Sequence, residues 1–465
     1  MNRMPDPAVP NAVGPQKRSP RLASMAAMAA SLTEYYDFML FATAAALVFP
    51  HVFFPDAGLA AGTMLSLASY GVSYVARPIG ALVLGSMGDR IGRRALLQIT
   101  VWMMGISTLI VGCLPTYDQV GILAPILLVV CRLFQGFSTA AEAPAAAALA
   151  LEHADKGTRA FGASWTASGV QGGQALASLV FIPVAALPAE ALYSWGWRLP
   201  FFASVLLFAV NYGLRRQVSE TPVFLESVAN RDPKLSHGLA PIIELMRSDK
   251  RNVLRVAGAA FFAVPSSLAT VYGLSYATSP DVGVSRQTML WGVAIANIIA
   301  VFVIPFWGWL ADRTGRKPIF IGGAIGSALF FWLYMAAIDT GRVGLILAVM
   351  IVFLGVVYSA PNSIQESMFP EWFPTRTRVL GSAFGKQVGL IAFGFAPATA
   401  QMLSGGEPSN WGGVVLLLMA LTSVAVIAAI TAPETRQLAL DDEGLRNLPK
   451  STGDAPEQPF VDSRK

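Results

Sequence analysis

The sequence predicts an all-α polytopic membrane protein whose twelve transmembrane helices form two pseudo-symmetric six-helix bundles. Three observations predict it. Hydrophobic residues make up 54% of the 465-residue chain and charged residues 13%, about half the share of an ordinary soluble protein. So few charges cannot coat the surface of the three soluble domains that this length would otherwise suggest. Apolar runs of about 20 residues, the length that crosses a bilayer, recur twelve times. One charged loop sequence also occurs twice, 223 residues apart. A disordered chain, a coiled coil, a collagen and a disulfide scaffold are excluded by the positive mean hydropathy of +0.55, the absence of sustained heptads and the presence of two cysteines.

The elements follow in order. Residues 1–21 are polar and contain Pro5, Pro7, Pro10, Pro15 and Pro20; they read as a disordered cytoplasmic tail without a cleavable signal. Apolar runs near 22–50, 61–86, 95–114, 121–151, 160–187 and 197–217 make the first bundle, 22–217. A cytoplasmic linker is expected over 218–250. Runs near 251–278, 288–310, 318–338, 341–367, 379–404 and 411–432 make the second bundle, 251–432, and 433–465 is expected to be a disordered cytoplasmic tail. Internal Gly and Pro do not argue against these spans, because neighbouring helices satisfy the freed backbone groups. A membrane β-barrel would show much shorter alternating segments.

Orientation follows from the basic residues. Of the 33 Lys and Arg, 27 fall in the tails and the even-numbered loops, with the central loop counted as 215–255; Arg198, Arg286 and Arg342 lie in outer loops, and Arg77, Arg132 and Lys386 within spans. Both termini are therefore expected in the cytoplasm, with the chain multi-pass in the cell (plasma or inner) membrane. This bias also accounts for the net charge of +5, so the lipid bilayer rather than nucleic acid is the expected partner. Cys113 and Cys131 lie inside apolar runs, His51, His153 and His237 are scattered, and no metal-ligand spacing appears.

The repeat reads Gly85-Ser-Met-Gly-Asp-Arg-Ile-Gly-Arg-Arg and Gly308-Trp-Leu-Ala-Asp-Arg-Thr-Gly-Arg-Lys, and Ala160-Phe-Gly162 recurs as Ala383-Phe-Gly385 with the same offset. Two landmarks with one displacement point to parallel structural repeats, which place a substrate site between them near the bilayer midplane. In the first copy the glycines allow close helix approach, and Arg77, Asp89, Arg90, Arg93 and Arg94 form a candidate charged gate at the cytoplasmic mouth. Asp312, Arg313 and Arg316 are its counterparts in the second copy. The loop resembles the signature of the major facilitator superfamily. Within it, Glu34-Tyr-Tyr-Asp37-Phe, Arg132-Leu-Phe-Gln135-Gly-Phe with Glu142, Trp195-Gly-Trp-Arg198-Leu-Pro-Phe-Phe202, Glu220-Thr-Pro-Val-Phe224 and Phe373-Pro-Thr-Arg376 resemble the metabolite:proton symporter family over roughly residues 30–436. That resemblance implies the major facilitator fold and a substrate such as shikimate, 2-oxoglutarate, citrate or another dicarboxylate, proline or a betaine. The stretch Ser138-Thr-Ala-Ala-Glu142-Ala-Pro144 replaces the family's usual glycines, and no extended coiled-coil tail is present, so no single relative's substrate transfers and osmotic gating is not implied.

An ionisable side chain at the centre of a spanning helix costs about 2.5–3.5 kcal/mol on insertion scales, so each needs a partner or a task. Glu34 and Asp37 lie three residues apart in the middle of the first helix, and Arg132 lies at similar depth in the fourth. An acid–arginine network between these helices is expected. Burial favours a neutral acid and a guanidinium favours a charged one, so a substrate that competes for Arg132 would alter proton binding; a permanently ionised packing pair is the alternative. Asp37, Glu34 and Glu142 are the candidate proton-coupling residues. Arg132, Tyr36, Gln171, Tyr272 and Lys386 are the candidate substrate-binding residues, with Tyr276, Tyr358, Asn362 and Gln174 as further possible lining.

No phosphate-cradling loop or nucleophile elbow appears, so neither an ATP-driven pump nor an enzyme is expected. Membrane cations favour a carboxylate-bearing small molecule, because guanidinium binds carboxylate bidentately. The expected function is proton-coupled symport of a small organic acid or zwitterion by a monomeric functional unit, with protons as coupling ion and no cofactor. Two readings stand beside it: solute or drug:proton antiport, and a non-transporting membrane sensor.

Overall fold

The computed structural model describes residues 20–91, 93–140, 158–216, 240–374, 377–405, 407 and 409–436, and among these it is helical without strands. Twelve long helical segments follow one another: α1 Pro20–Leu47, α2 Leu59–Ile91, α3 Arg93–Cys113, α4 Leu123–Thr139, α5 Arg159–Ala185, α6 Leu199–Arg216, α7 Lys250–Ala277, α8 Arg286–Thr314, α9 Arg316–Asp339, α10 Val343–Glu371, α11 Arg378–Leu403 and α12 Gly412–Thr431. Six are long and apolar enough to cross a membrane by length and composition alone: α7, α8, α9, α10, α12 and the Leu59–Ala81 part of α2. Helices α1, α5 and α11 are as long but diluted by inward polar side chains such as Ser31, Asp37, Ser164, Gln174 and Gln387.

The outer surface is apolar. Trp102, Ile106 and Ile110 on α3, and Phe302, Phe306 and Trp309 on α8, recur at helical spacing and are exposed. A continuous belt of that kind belongs against lipid tails. Inside, α1 packs along α5, α2 lies against α4, and α7 against α11 and α12. Two seams join the halves, α5 on α8 and α2 on α11. On the first, the place a Cβ would take at Gly308 lies 2.8 Å from the Ala160 carbonyl oxygen, so only glycine permits this approach. The end of the bundle that bears both loop copies is called the basic end below.

At the opposite end, Arg286 at the start of α8 donates a 2.8 Å hydrogen bond to the Tyr193 hydroxyl of the first half. His51 stacks on the same ring at 4.6 Å. Burial and the Arg286 guanidinium push the His51 imidazole below its ordinary value, which keeps it neutral beside that cation at pH 7. Trp197 is fully buried among Phe49, Phe53 and Phe201, and Arg198 closes the corner by donating to the carbonyls of Gly112 and Leu114.

Two expectations about connections change. The stretch read as linker through residue 250 contains a helix, Ala240–Ser248, whose Leu245 is buried near Gly381; its apolar residues are too few to read as a span. The stretch read as a tail from 433 begins with residues that pack on the bundle, Glu434 and Thr435 among them. Residues 1–19 and 437–465 lie outside the described residues. Both α7 and α10 contain a π-helical turn, Leu268–Tyr272 and Phe353–Val357, a feature that often marks functional sites and that rotates the residues beyond it.

Candidate functional site

Asp37 is wholly buried in the first half. The Thr108 hydroxyl of α3 donates to its Oδ1 at 2.5 Å, and Gln135 Nε2 of α4 donates to its Oδ2 at 3.1 Å. Gln135 Oε1 in turn accepts from Arg132 at 2.8 Å. Arg132 also donates to Ser73 Oγ at 2.9 Å and to the Tyr70 carbonyl at 3.4 Å, both on α2, and its guanidinium lies 3.9 Å above the Phe41 ring. The link between Asp37 and Arg132 thus runs through Gln135, which sits one helical turn from Arg132 on the same face, and it draws in α2 and α3 as well as α1 and α4.

Glu34 does not join this relay. It faces Arg77 of α2 at 3.6 Å, and the Arg77 guanidinium stacks on Phe38 at 4.1 Å and on Tyr74 at 4.4 Å. This corrects the placing of Arg77 in the gate. Helix α2 runs on to Ile91, so Arg77 stands 14 residues, about 21 Å, from the basic end; it is 1% exposed. At that depth a guanidinium needs an acid and aromatic faces; α1 supplies Glu34 and Phe38, and Tyr74 of α2 itself supplies the second ring.

Between the halves lies a slot lined by Tyr35, Phe38 and Met39 of α1, Tyr70 and Tyr74 of α2, Gln174 of α5, Ser266 and Thr270 of α7, and Phe393 of α11. Its volume is about 10 Å³, room for about one water. Tyr74 and Phe393 meet across it at 5.4 Å, so a metabolite enters only if the halves part. None of the five residues expected to bind substrate is among those lining the slot. The Tyr36 hydroxyl donates to the Pro200 carbonyl at the start of α6, and Tyr35 takes the lining position. Gln171 is buried one turn from Gln174, its Oε1 without a hydrogen-bond partner. Tyr272 hydrogen-bonds Ser404 near the far end of α11, while Ser266 and Thr270 line the slot. In the second half, Lys386 Nζ donates to Glu366 Oε1 at 2.8 Å.

At the basic end Asp312 accepts from the backbone N–H of Ala160 at 3.2 Å and of Phe161 at 3.0 Å. A carboxylate of the second half thereby caps α5 of the first, where the helix dipole favours negative charge. Arg316 pairs with Asp312 at 3.1 Å and with Glu371 at 3.4 Å, and Thr435 donates to Glu371. Glu434 accepts from the N–H groups of Arg316 and Lys317 at 3.0 Å each. Arg313 instead lies exposed with its guanidinium 3.9 Å over Trp309, outside these contacts. Glu142 and the side chains of Asp89, Arg90, Arg93 and Arg94 lie outside the described residues.

Sequence reasoning missed Thr108, Ser73, Glu366 and Glu371 as site residues and used Gln135 only as part of a motif. The acids had a readable signal: each is an ionisable residue at or just past the end of the tenth apolar run.

The relay depends on a close crossing of α2 and α4. A Cβ at Gly136 would collide with the Ser73 carbonyl, next to the hydroxyl that receives Arg132. Gly136→Val is expected to push these helices apart at a cost of about 1–3 kcal/mol or more. A thermal melt of the purified protein checks this: the variant should unfold several degrees lower, and an unchanged midpoint would contradict the packing argument.

The chain is similar to known transporters along most of its length. Residues 22–241 match the sugar (and other) transporter family, and residues 256–455 match the Major Facilitator Superfamily. The shikimate transporter of Escherichia coli (strain K12) is 30% identical over 424 residues, 90% of this chain and 95% of the relative. The proline/betaine transporter of the same strain is 31% identical over 425 residues, covering 89% and 84%. Among solved structures, a D-xylose-proton symporter superposes with a TM-score of 0.68 at 20% identity, over 90% of this chain and 99% of that one; at that identity the likeness speaks for the fold.

Proposed function

The chain belongs to the major facilitator superfamily and is a transporter rather than an enzyme, and we propose that it is a proton-coupled symporter importing a small organic acid or zwitterion by alternating access. The observation that carries the proposal is the buried relay Asp37–Gln135–Arg132. In this mechanism Asp37 starts ionised, accepting from Thr108 and Gln135, with the cation at the other end of Gln135 balancing its charge. A substrate carboxylate that draws the N–H groups of Arg132 to itself removes that balance. Asp37 then holds a proton more tightly, so proton and anion load together. When the halves rock and the substrate leaves, Arg132 returns to Gln135 and the proton departs. No cofactor beyond the proton is needed.

The carboxylate-bearing substrate class is supported by the buried cation Arg132, by the half-buried cation Lys386 and by the solutes that the two bacterial relatives are named for, an organic acid and two zwitterions. We place the protein in the cell membrane with both termini inside, following the distribution of Lys and Arg, and take one chain as the transporting unit. Counterflow in proteoliposomes tests the reading. Shikimate, 2-oxoglutarate, citrate, proline and glycine betaine are offered against a lipophilic cation such as tetraphenylphosphonium. Exchange of at least one carboxylate solute and none of the cation is expected; exchange of the cation alone would turn the reading to drug antiport.

A further inference from the structure

The relay occupies the first half, yet the second half carries a charged pair that it does not use. Lys386 lies eight residues into α11, about 12 Å from the basic end by helix rise. Phe393, which lines the slot, stands seven residues further on and thus on the same face. The Lys386 side chain retains 15% exposure and its partner Glu366 7%. One turn before Glu366 on α10, Asn362 is 3% exposed, and its Nδ2 has no hydrogen-bond partner among the described residues. A cation, a neighbouring unused amide donor and an internal carboxylate therefore stand together, close to where the halves meet.

We propose that Lys386, with Asn362, anchors the carboxylate of a transported anion on the second half, and that Glu366 is a place-holder which the substrate displaces. This rests on the symport reading above. In the described state Glu366 neutralises Lys386. An incoming carboxylate takes the ammonium, and Glu366, a buried carboxylate stripped of its cation, accepts a proton from water. At this site the balance is one carboxylate and one proton bound, with no net change in charge; the proton at Asp37 is additional and is taken up when a carboxylate also reaches Arg132.

The surroundings of Glu366 leave few competitors for this role. Lys386 faces it from α11, and Tyr35 of α1 lies within electrostatic reach across the slot. Tyr358 lies two turns back on α10. The charged groups of the other packed helices, Arg159 of α5, Asp312 of α8 and Arg316 of α9, gather instead around Glu371.

The test is equilibrium binding of shikimate, 2-oxoglutarate, citrate and proline to the purified full-length protein between pH 5.5 and 8. For whichever of these the wild type exchanges in counterflow, affinity should fall with rising pH, by roughly tenfold per pH unit for each proton taken up. Glu366→Gln should bind more tightly at pH 8 and lose one such factor of ten per unit. Lys386→Gln alone leaves a lone buried acid and risks misfolding, so the double variant Glu366→Gln/Lys386→Gln, a neutral pair, is measured beside it. It should keep its thermal midpoint and lose at least tenfold in affinity. Wild-type pH dependence in Glu366→Gln, or undiminished binding in the double variant, overturns the inference. If the wild type exchanges no carboxylate solute in counterflow, the symport reading falls and this inference with it; wild-type exchange with unaffected variants removes this inference alone.

Discussion

Asp37→Asn is expected to abolish uphill accumulation of a zwitterion, whose single carboxylate meets Arg132, while leaving exchange intact. On the proposed mechanism the amide mimics the protonated acid permanently. It cannot release a proton, yet its oxygen still accepts from Thr108 or Gln135, and the space around it is unchanged. A membrane potential of 100 mV supplies about 2.3 kcal/mol per net charge moved, enough for roughly 50-fold accumulation of a zwitterion carried with one proton. In proteoliposomes with an imposed gradient the variant should reach an internal-to-external ratio near one, against tens for the wild type, and counterflow should proceed at a comparable rate. Gradient-driven accumulation at the wild-type level would remove Asp37 from the coupling.

The second large effect is expected at Arg132. Arg132→Lys keeps the charge but replaces a planar fork with a point cation. In the structure that fork reaches three acceptors at once, Gln135 Oε1, Ser73 Oγ and the Tyr70 carbonyl; an ammonium on a shorter stem cannot hold this set and also meet a carboxylate bidentately. The half-saturating concentration for an anionic or zwitterionic substrate should rise by about tenfold to a hundredfold, equivalent to about 1.4–2.8 kcal/mol. Arg132→Gln should lose transport altogether, because Asp37 is left without its balancing cation. Concentration dependence of counterflow reads both, and unchanged half-saturation in Arg132→Lys would mean that substrate never meets this side chain.

Much of the architecture was legible because membrane insertion imposes a one-dimensional code. Long apolar runs announce spans, and the recurrence of Gly308–Lys317 at a fixed offset from Gly85–Arg94 announces two repeats. The depth of Asp37 and Arg132 was equally plain, since a charge in an apolar run is costly and conspicuous. Gln135 was not, because a neutral amide carries little insertion penalty and gives no sign of which charges it will bridge. Tyr35 and Tyr36 could not be told apart: adjacent helical residues point about 100° apart, and α1 is buried on both sides, so hydrophobicity marks no face. Glu366 escaped notice because it sits one residue from the end of its apolar run, where an acid reads as a terminal charge, whereas the tenth helix continues to Glu371. Arg77 was misplaced for the same reason on α2. In each case the helix outlasts its hydrophobic stretch, and the extension is stabilised by tertiary contacts that no local pattern encodes.

The central claim is that a proton crosses with the substrate and that Asp37 carries it. Proteoliposomes loaded with a pH-sensitive dye, with no imposed pH or voltage gradient, are given a downhill gradient of a solute that passes the counterflow test. The wild type should acidify the lumen as solute enters, and Asp37→Asn should acidify it by one proton less per solute. Solute entry by the wild type with no movement of protons, or acidification by Asp37→Asn equal to the wild type, would contradict the account.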